Sequence, residues 1–134
     1  MILVDTSVFV DWLKGNENQK TKIFDKILNT STPFSISVLT YHEILQGAKN
    51  DEEYEMLRVY FSTQSICHLP ADLDFFDGAS ALCRRIRPGR RAASSTVDSM
   101  IAMTAIHHQM KLLHNNDIYD ALAKEISELD ILES

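Results

Sequence analysis

The segment Met1-Ile2-Leu3-Val4-Asp5-Thr6-Ser7 decides the fold class and locates a candidate site. Its four consecutive apolar residues do not alternate with polar ones, which is typical of a strand buried on both faces of a parallel sheet. In open parallel sheets, ligands bind just beyond the carboxyl ends of the strands. Asp5 is predicted to lie at that position with two hydroxyl residues, Thr6 and Ser7, beside it. This edge of the sheet is therefore a candidate metal site.

Short apolar runs predict further strands, and apolar residues at helical spacing predict the segments between them. Strands are predicted at 1–4, 33–37, 65–69, 111–114 and 129–132, and helices at 7–13, 18–29, 38–48, 51–62, 71–86, from 94–96 to 108, and after 117 to 126. Strands that alternate with helices imply right-handed crossovers and a parallel sheet covered on both faces. We therefore predict an α/β fold, a three-layer α/β/α sandwich with a central, mainly parallel sheet of four or five strands.

Length and composition favour a soluble globular protein with one domain over 1–134. The chain has 134 residues, of which 45% are apolar and 24% charged, both ordinary values for a globular protein. No apolar stretch approaches the ~20 residues that span a bilayer, and the first residues do not resemble a signal peptide. We expect a cytoplasmic protein without a membrane segment. Cys67 and Cys83 lack metal-ligand spacing and are expected to be reduced.

The net charge of −6 is unevenly distributed. Residues 84–91, here called the arginine strip, contain no acid and hold five of the 13 basic residues, namely Arg84, Arg85, Arg87, Arg90 and Arg91. The rest of the chain is acidic and would repel nucleic acid at long range. The strip is a candidate for contacts with an RNA backbone, because arginine clusters bind phosphate. The alternative is a solvated loop, or a surface that pairs with the chain's own acids or with a partner protein.

Several polar residues follow the predicted strands or open the next helices. Glu43 lies in Thr40-Tyr41-His42-Glu43, Asp98 lies in Ser95-Thr96-Val97-Asp98, and Asn116 and Asp117 follow the fourth strand. Each of them alone also fits a helix cap, a capping box or an acid in a first helical turn. Asp5 alone fits a cap equally well. The five histidines have no convincing zinc partner and are predicted to be surface groups or satisfied core groups.

The joint pattern of these acids indicates more than capping, because all of them fall at the same edge of the predicted sheet. Two carboxylates about 4 Å apart repel by about 4 kcal/mol at an effective dielectric constant near 20. Acids gathered in this way require protons or a divalent cation. An all-oxygen, carboxylate-rich site suits Mg²⁺ or Mn²⁺ and does not suit zinc. Such an ion orients and deprotonates water and neutralises charge on a phosphoryl group.

Four segments together resemble the PIN-domain family, and specifically its VapC-type toxins from bacterial toxin–antitoxin pairs. The segments are ILVDTSVFVDWLKG, TYHEILQGA, STVDSMIAMTAI and LLHNNDIYDALA. The resemblance covers nearly the whole chain and includes the order and spacing of all four. It implies a compact α/β/α fold and an endoribonuclease that depends on Mg²⁺ or Mn²⁺. It also implies a homodimer and a cognate VapB antitoxin that blocks the site.

The resemblance also implies that Asp5, Glu43 and Asp98 form the acidic constellation, with Thr6 or Ser7 orienting it. On this hypothesis Asp5 and Asp98 ligate the metal, directly or through water. Glu43 helps to hold the metal and is also the candidate base for the attacking water.

The fourth acidic position departs from the family's pattern. The family often has an acid where this chain has Asn116, and another where it has Ile118. Whether Asn116 or Asp117 positions the water or a second ion stays open.

Three other functions compete with this interpretation. An aspartate-nucleophile phosphatase needs a second acid two residues after the first, and Ser7 stands there, so that class is disfavoured. A metal nuclease that cleaves DNA is not separated from a ribonuclease by the residues themselves. A PIN-like binding module with weak or lost catalysis is conceivable because of Asn116, whereas the joint presence of Asp5, Glu43 and Asp98 argues against it.

The helix surfaces around four apolar residues are candidate partner contacts. These residues are Phe9, Trp12, Ile23 and Phe24. Plain core packing is the better expectation for most of them.

Overall fold

The computed structural model describes residues 1–86 and 92–133, with the backbone alone between 92 and 95. Its strands are β1 (Ile2–Val4), β2 (Phe34–Ser37), β3 (Ile66–Cys67), β4 (Lys111–Leu113) and β5 (Asp130–Ile131). Its helices are α1 (Thr6–Leu13), α2 (Gln19–Asn29), α3 (Val38–Gln46), α4 (Asp51–Phe61), α5 (Leu73–Ile86), α6 (Ala92–His107) and α7 (Ile118–Glu125). None of these helices has the length and apolar character required to cross a membrane.

The five strands form one parallel sheet in the order β3-β2-β1-β4-β5. The central strand β1 pairs with β2 through Ile2 and Phe34 and with β4 through Leu3 and Leu112. The predicted α/β fold with a parallel central sheet is therefore confirmed. Because β1 is central, its carboxyl end lies between those of β2 and β4, after which α3 and α7 begin.

Two hydrophobic clusters cover the two faces of the sheet. Leu3 and Leu112 belong to one cluster, with residues of α5, α6 and α7, whereas Val4 and Leu113 belong to the other, with residues of α1 to α4. Successive side chains of a strand point to opposite faces. The uninterrupted apolar run at the start of the chain is explained by burial on both faces, as the sequence predicts.

Two of the four candidate partner-contact residues lie in the core instead. Phe9 and Phe24 are fully buried, and their ring centroids lie 5.2 Å apart. Trp12 and Ile23 are partly buried and pack against the same cluster. The partner-contact interpretation is wrong for Phe9 and Phe24, because the helices α1 and α2 need these rings to cover one face of the sheet. Cys67 and Cys83 do not form a disulfide with each other, in agreement with the prediction.

The capping interpretations of two acids are wrong. The N-cap of α3 is Ser37, whose Oγ accepts a hydrogen bond from Leu39 N at 3.1 Å, so Glu43 lies inside the helix. Helix α6 begins at Ala92, so Asp98 lies in its second turn. Two alanines, which are strong helix formers, stand at the start of α6 and extend it toward the N-terminus. Capping thus does not account for either acid.

Candidate active site

Asp5 is held by hydrogen bonds on both of its carboxylate oxygens. It directly follows β1, and only 3% of its surface is exposed. Its Oδ2 accepts hydrogen bonds from the backbone N of Ser7 at 3.0 Å and from the Ser7 hydroxyl at 2.6 Å. The first of these bonds makes Asp5 the N-cap of α1. Asn115 N in turn donates to Ser7 Oγ at 2.9 Å, which ties the loop after β4 to the same carboxylate.

The phenol of Tyr119 connects two of the predicted site acids. Tyr119 is fully buried, and its hydroxyl donates to Asp5 Oδ1 at 2.7 Å. The same hydroxyl lies 3.3 Å from Asp98 Oδ1. Asp5 from the end of β1, Asp98 from α6 and Tyr119 from α7 thus meet at one point. The sequence prediction that Asp5 and Asp98 converge agrees with this geometry.

Burial and like charge govern the ionisation of this cluster. Burial, and secondly the carboxylate of Asp5, raise the pKa of Asp98 to about 6, with a smaller contribution from Glu43. The hydrogen bond from Tyr119 acts in the opposite direction. Burial and the same two aspartates raise the pKa of Tyr119 well above its usual range, so the phenol keeps its proton at neutral pH and remains a donor.

Glu43 stands on the exposed side of the cluster. The Thr6 hydroxyl donates to its Oε1 at 2.7 Å and also lies 2.9 Å from Thr40 Oγ1, a fully buried group. The two hydroxyl residues after Asp5 therefore contact different acids, since Thr6 contacts Glu43 and Ser7 contacts Asp5. This division of contacts does not follow from the sequence.

The donor set suits a hard cation, although the three acids do not form a closed coordination group. Among residues 1–86 and 92–133, no three or more His, Cys, Asp or Glu side chains lie together as a metal-holding group. Asp5 and Asp98 lie together at Tyr119, and Glu43 is near enough to raise the pKa of Asp98. Like charges separate unless a counter-charge holds them together. The oxygen donors and their mutual repulsion both fit Mg²⁺ or Mn²⁺.

Asn116 and Asp117 occupy the turn between β4 and α7. Asn116 Oδ1 accepts a hydrogen bond from Ile118 N at 3.2 Å, the cap-like contact that the sequence allows. Asp117 is exposed and lines a cavity of about 470 Å³ beside the end of β4. Their role at the site stays a prediction.

His114 is a buried histidine that lines the same cavity. Its Nδ1 accepts a hydrogen bond from Asn116 N at 3.2 Å. Its Nε2, which has no hydrogen-bond partner among the described residues, lies 3.5 Å from Asp120 Oδ1. Burial lowers the pKa of His114. The prediction of a surface or satisfied core histidine is therefore wrong at Nε2, because the fold buries this nitrogen without bringing an acceptor into hydrogen-bond range.

Sequence reasoning missed Tyr119 and misjudged His114. A weak signal exists, since both residues belong to the segment that links the fourth strand to the next helix at the carboxyl edge of the sheet. Aromatic residues in a first helical turn are mostly core residues, however, and Tyr119 also belongs to the core cluster. Only its hydroxyl distinguishes it from such a residue.

The arginine strip is described only in part. Arg84 and Arg85 are exposed in the last turn of α5, where phosphate could reach them. Arg87, Arg90 and Arg91 lie outside the described residues. RNA contact by the strip stays a prediction.

The parallel sheet, with buried Asp5 meeting partly buried Asp98 beyond its central strand, defines a class of α/β proteins that carry an acidic site. The family model described as the PIN domain matches residues 2–125. The chain belongs to the PIN-domain family, as the four sequence segments indicate.

Curated relatives carry the name ribonuclease. The chain is 24% identical over 125 residues to the ribonuclease VapC11 of Mycobacterium tuberculosis, and the match covers 92% of each chain. A VapC ribonuclease of Mycobacterium bovis matches with the same identity and coverage.

Solved structures of toxin–antitoxin complexes share the fold. A chain of a toxin–antitoxin complex from Klebsiella pneumoniae has a TM-score of 0.67 at 22% identity, covering 96% of this chain and 95% of that one. A chain of VapBC2 from Rickettsia felis, bound to a promoter DNA fragment, has a TM-score of 0.68 at 18% identity and covers 98% of each. The likeness establishes the fold of this chain.

Proposed function

We propose that this protein is the toxin of a VapBC-type toxin–antitoxin pair, an endoribonuclease that hydrolyses RNA phosphodiester bonds in the cytoplasm. Residues 1–134 act in this proposal as one catalytic domain. The observation that carries it is the meeting of buried Asp5 with Asp98 beyond the central strand of a PIN-domain protein. The ribonuclease names of the relatives support RNA as the substrate.

In this proposal Asp5 and Asp98 hold Mg²⁺ or Mn²⁺, and Glu43 completes the acidic set. When bound, such an ion lowers the pKa of water and neutralises charge that develops on the phosphoryl oxygens.

Ser7 and Tyr119 hold the carboxylate of Asp5 in place, and Thr6 orients Glu43 from the side of α1. Glu43, being exposed, is the acid that can reach a water beside the substrate and accept its proton. Asn116 or Asp117 would orient that water from the turn before α7.

Cleavage of a mixed RNA pool by the purified protein tests the proposal directly. We expect cutting with Mg²⁺ or Mn²⁺, none with EDTA, and a loss of at least about 100-fold in Asp5→Asn, because that variant removes a charged ligand from the site. Asp130→Asn is the matched control, since Asp130 is exposed on the edge strand β5. It should cut like the parent protein.

The outcomes separate the alternatives. Undiminished cutting by Asp5→Asn would falsify the assigned site. Preference for single-stranded DNA over RNA in a parallel reaction would favour the DNA nuclease instead. Tight Mn²⁺ binding without cleavage of any nucleic acid would favour a binding module or a very narrow RNA specificity.

An apolar groove beside Glu43 supports an antitoxin partner. The groove lies between α1, α3 and α4 and has a volume of about 600 Å³. Its apolar lining residues are Val10, Leu13, Ile44, Met56 and Leu57, and its charged lining residues are Lys14, Glu43, Lys49 and Glu53. The exposed fractions of Met56 and Leu13 are 63% and 40%. In our proposal an apolar segment of a VapB-type antitoxin lies in this groove. One of its basic side chains pairs with the acids and blocks cation binding.

Co-expression with the protein encoded beside it tests this partner. We expect a complex that suppresses RNA cleavage, and we expect Met56→Glu to weaken it while cleavage by the free toxin is retained. Glu52→Lys, an exposed change in the first turn of α4, is the control. A complex of unchanged affinity in Met56→Glu would remove the groove from the interface. Light scattering of the free protein tests the homodimer that we also propose.

A further inference from the structure

We infer that Tyr119 is a positioning residue that orients Oδ1 of Asp5, the oxygen that remains available to a divalent cation. This inference rests on the proposed function, because it concerns the same acidic site. Tyr119 makes no contact of its own with a substrate in this scheme. It acts through the two carboxylates that its hydroxyl contacts.

The first step is the count of acceptor sites on Asp5. A carboxylate offers about four lone-pair sites, two on each oxygen. The Ser7 amide and hydroxyl use both sites of Oδ2, and the Tyr119 hydroxyl uses one site of Oδ1. One site remains, and it lies on Oδ1. Asp5 can therefore offer a cation a single oxygen, and the phenol helps to determine where that oxygen points.

The second step is the rigidity of the phenol. Tyr119 has no exposed surface, and its ring packs against that of His114 with the centroids 5.0 Å apart. Its backbone N donates to Asn116 O at 3.2 Å, in the turn that opens α7. The ring belongs to the core cluster shared by α5, α6 and α7. The hydroxyl therefore cannot turn away from the carboxylates without movement of the helix.

The third step is the contact with Asp98. The 3.3 Å separation from Asp98 Oδ1 places the same hydroxyl between two like charges. A hydroxyl has one proton, and the shorter contact of 2.7 Å to Asp5 takes it. The phenol thus forms a stronger hydrogen bond with Asp5 than with Asp98. It also holds Oδ1 of Asp5 and Oδ1 of Asp98 near a common point in the absence of a cation. Groups that hydrogen-bond to metal ligands typically change metal affinity by about 10- to 100-fold.

Calorimetric titration of the metal-free protein with Mn²⁺ tests the inference. We expect Tyr119→Phe, which removes one oxygen and keeps the ring, to weaken Mn²⁺ binding by about 10- to 100-fold. Tyr60→Phe is the matched control, because Tyr60 is partly buried in the other cluster. Its Mn²⁺ affinity should equal that of the parent protein. Circular dichroism verifies folding, and if Tyr119→Phe is unfolded, the titrations are repeated in sucrose, which favours the folded state.

The titration distinguishes three results. Weaker binding in Tyr119→Phe alone supports positioning. Equal Mn²⁺ affinity in Tyr119→Phe and the parent overturns the inference and leaves the proposed ribonuclease intact. If Tyr119→Phe then melts at a lower temperature than the parent in EDTA, the hydroxyl has a purely structural role. If the parent protein itself binds no Mn²⁺, the metal requirement of the proposed function fails, and the inference fails with it.

Discussion

The Thr6 hydroxyl donates a hydrogen bond of 2.7 Å to Glu43 Oε1, although 37 positions separate the two residues in the sequence. Thr6 opens α1 directly after Asp5, and Glu43 lies in α3. The hydrogen bond thus links α1, which follows the central strand β1, to α3, which follows the neighbouring strand β2. An exposed glutamate that would otherwise sample several rotamers is held in one direction.

Removal of the Thr6 hydroxyl should lower the cleavage rate through Glu43. Thr6→Val keeps the shape of the side chain and removes the donor, so we expect a roughly 10-fold lower kcat, because a catalytic group that is less well oriented reacts less often. Thr6→Ser keeps the hydroxyl and should retain most of the rate. The measurement is RNA cleavage with Mg²⁺ at saturating substrate. Equal losses in the valine and serine variants would show that the methyl group matters and the hydrogen bond does not.

The raised pKa of Asp98 predicts how stability changes with pH in the metal-free protein. Because burial and Asp5 raise this pKa from 3.8 to about 6, the folded state binds the proton more tightly than the unfolded state does. The resulting stabilisation is complete below about pH 4 and is lost as the pH rises through 6. At pH 8, Asp98→Asn should therefore be more stable than the parent by about 1 kcal/mol, after allowance for solvent screening.

Thermal unfolding in EDTA from pH 4 to pH 8 measures this difference. We expect Asp98→Asn to melt roughly 3–5 °C higher than the parent at pH 8, and the gap to disappear near pH 4. Asp77→Asn, an exposed change in α5, should show no such trend. A gap that stays constant with pH would contradict the raised pKa.

His114 should oppose Asp98 in the same pH range. Burial lowers the pKa of His114 below its ordinary value of 6.5, so below pH 6.5 the unfolded state binds a proton that the folded state does not. Stability is therefore lost as the pH falls below 6.5. His114→Asn keeps an acceptor for Asn116 N, and it should lose less stability than the parent between pH 7 and pH 5. His42→Asn, a change at an exposed position, is the control and should lose as much stability as the parent between pH 7 and pH 5. The same loss in His114→Asn as in the parent would show that burial has no effect on His114.

The described part of the arginine strip gives a prediction about salt. The double variant Arg84→Glu/Arg85→Glu should bind single-stranded RNA more weakly, and each lost phosphate contact should reduce the slope of log K against log salt by about 0.7. Binding is measured in an Asp5→Asn background so that the RNA stays intact. Arg58→Glu on α4, where Arg58 pairs with Glu55 at 2.9 Å, is the control. An unchanged slope in the double variant would remove Arg84 and Arg85 from the RNA interface.

The sequence predicted the sheet correctly because its signal is local. The apolar run at the start of the chain predicts a buried strand from its own residues alone. Each later strand and helix is likewise predicted from the apolar pattern of its own residues. Capping was predicted poorly for the same reason. The pattern Ser/Thr-x-x-Glu occurs at Thr40–Glu43, inside a helix whose start at Ser37 satisfies the cap. Serine and threonine are both favoured capping residues, so a local pattern does not show whether Ser37 or Thr40 begins the helix.

The sequence by itself determined the order of strands and helices along the chain and placed Asp5 at the carboxyl end of the first strand. Only the tertiary structure decided that Tyr119 lies between Asp5 and Asp98, which stand 114 and 21 positions away from it. It likewise decided that Thr6 and Ser7 contact different acids. The physical reason is that hydrophobic periodicity fixes which face of an element is buried, whereas hydrogen bonds between elements depend on how those faces pack.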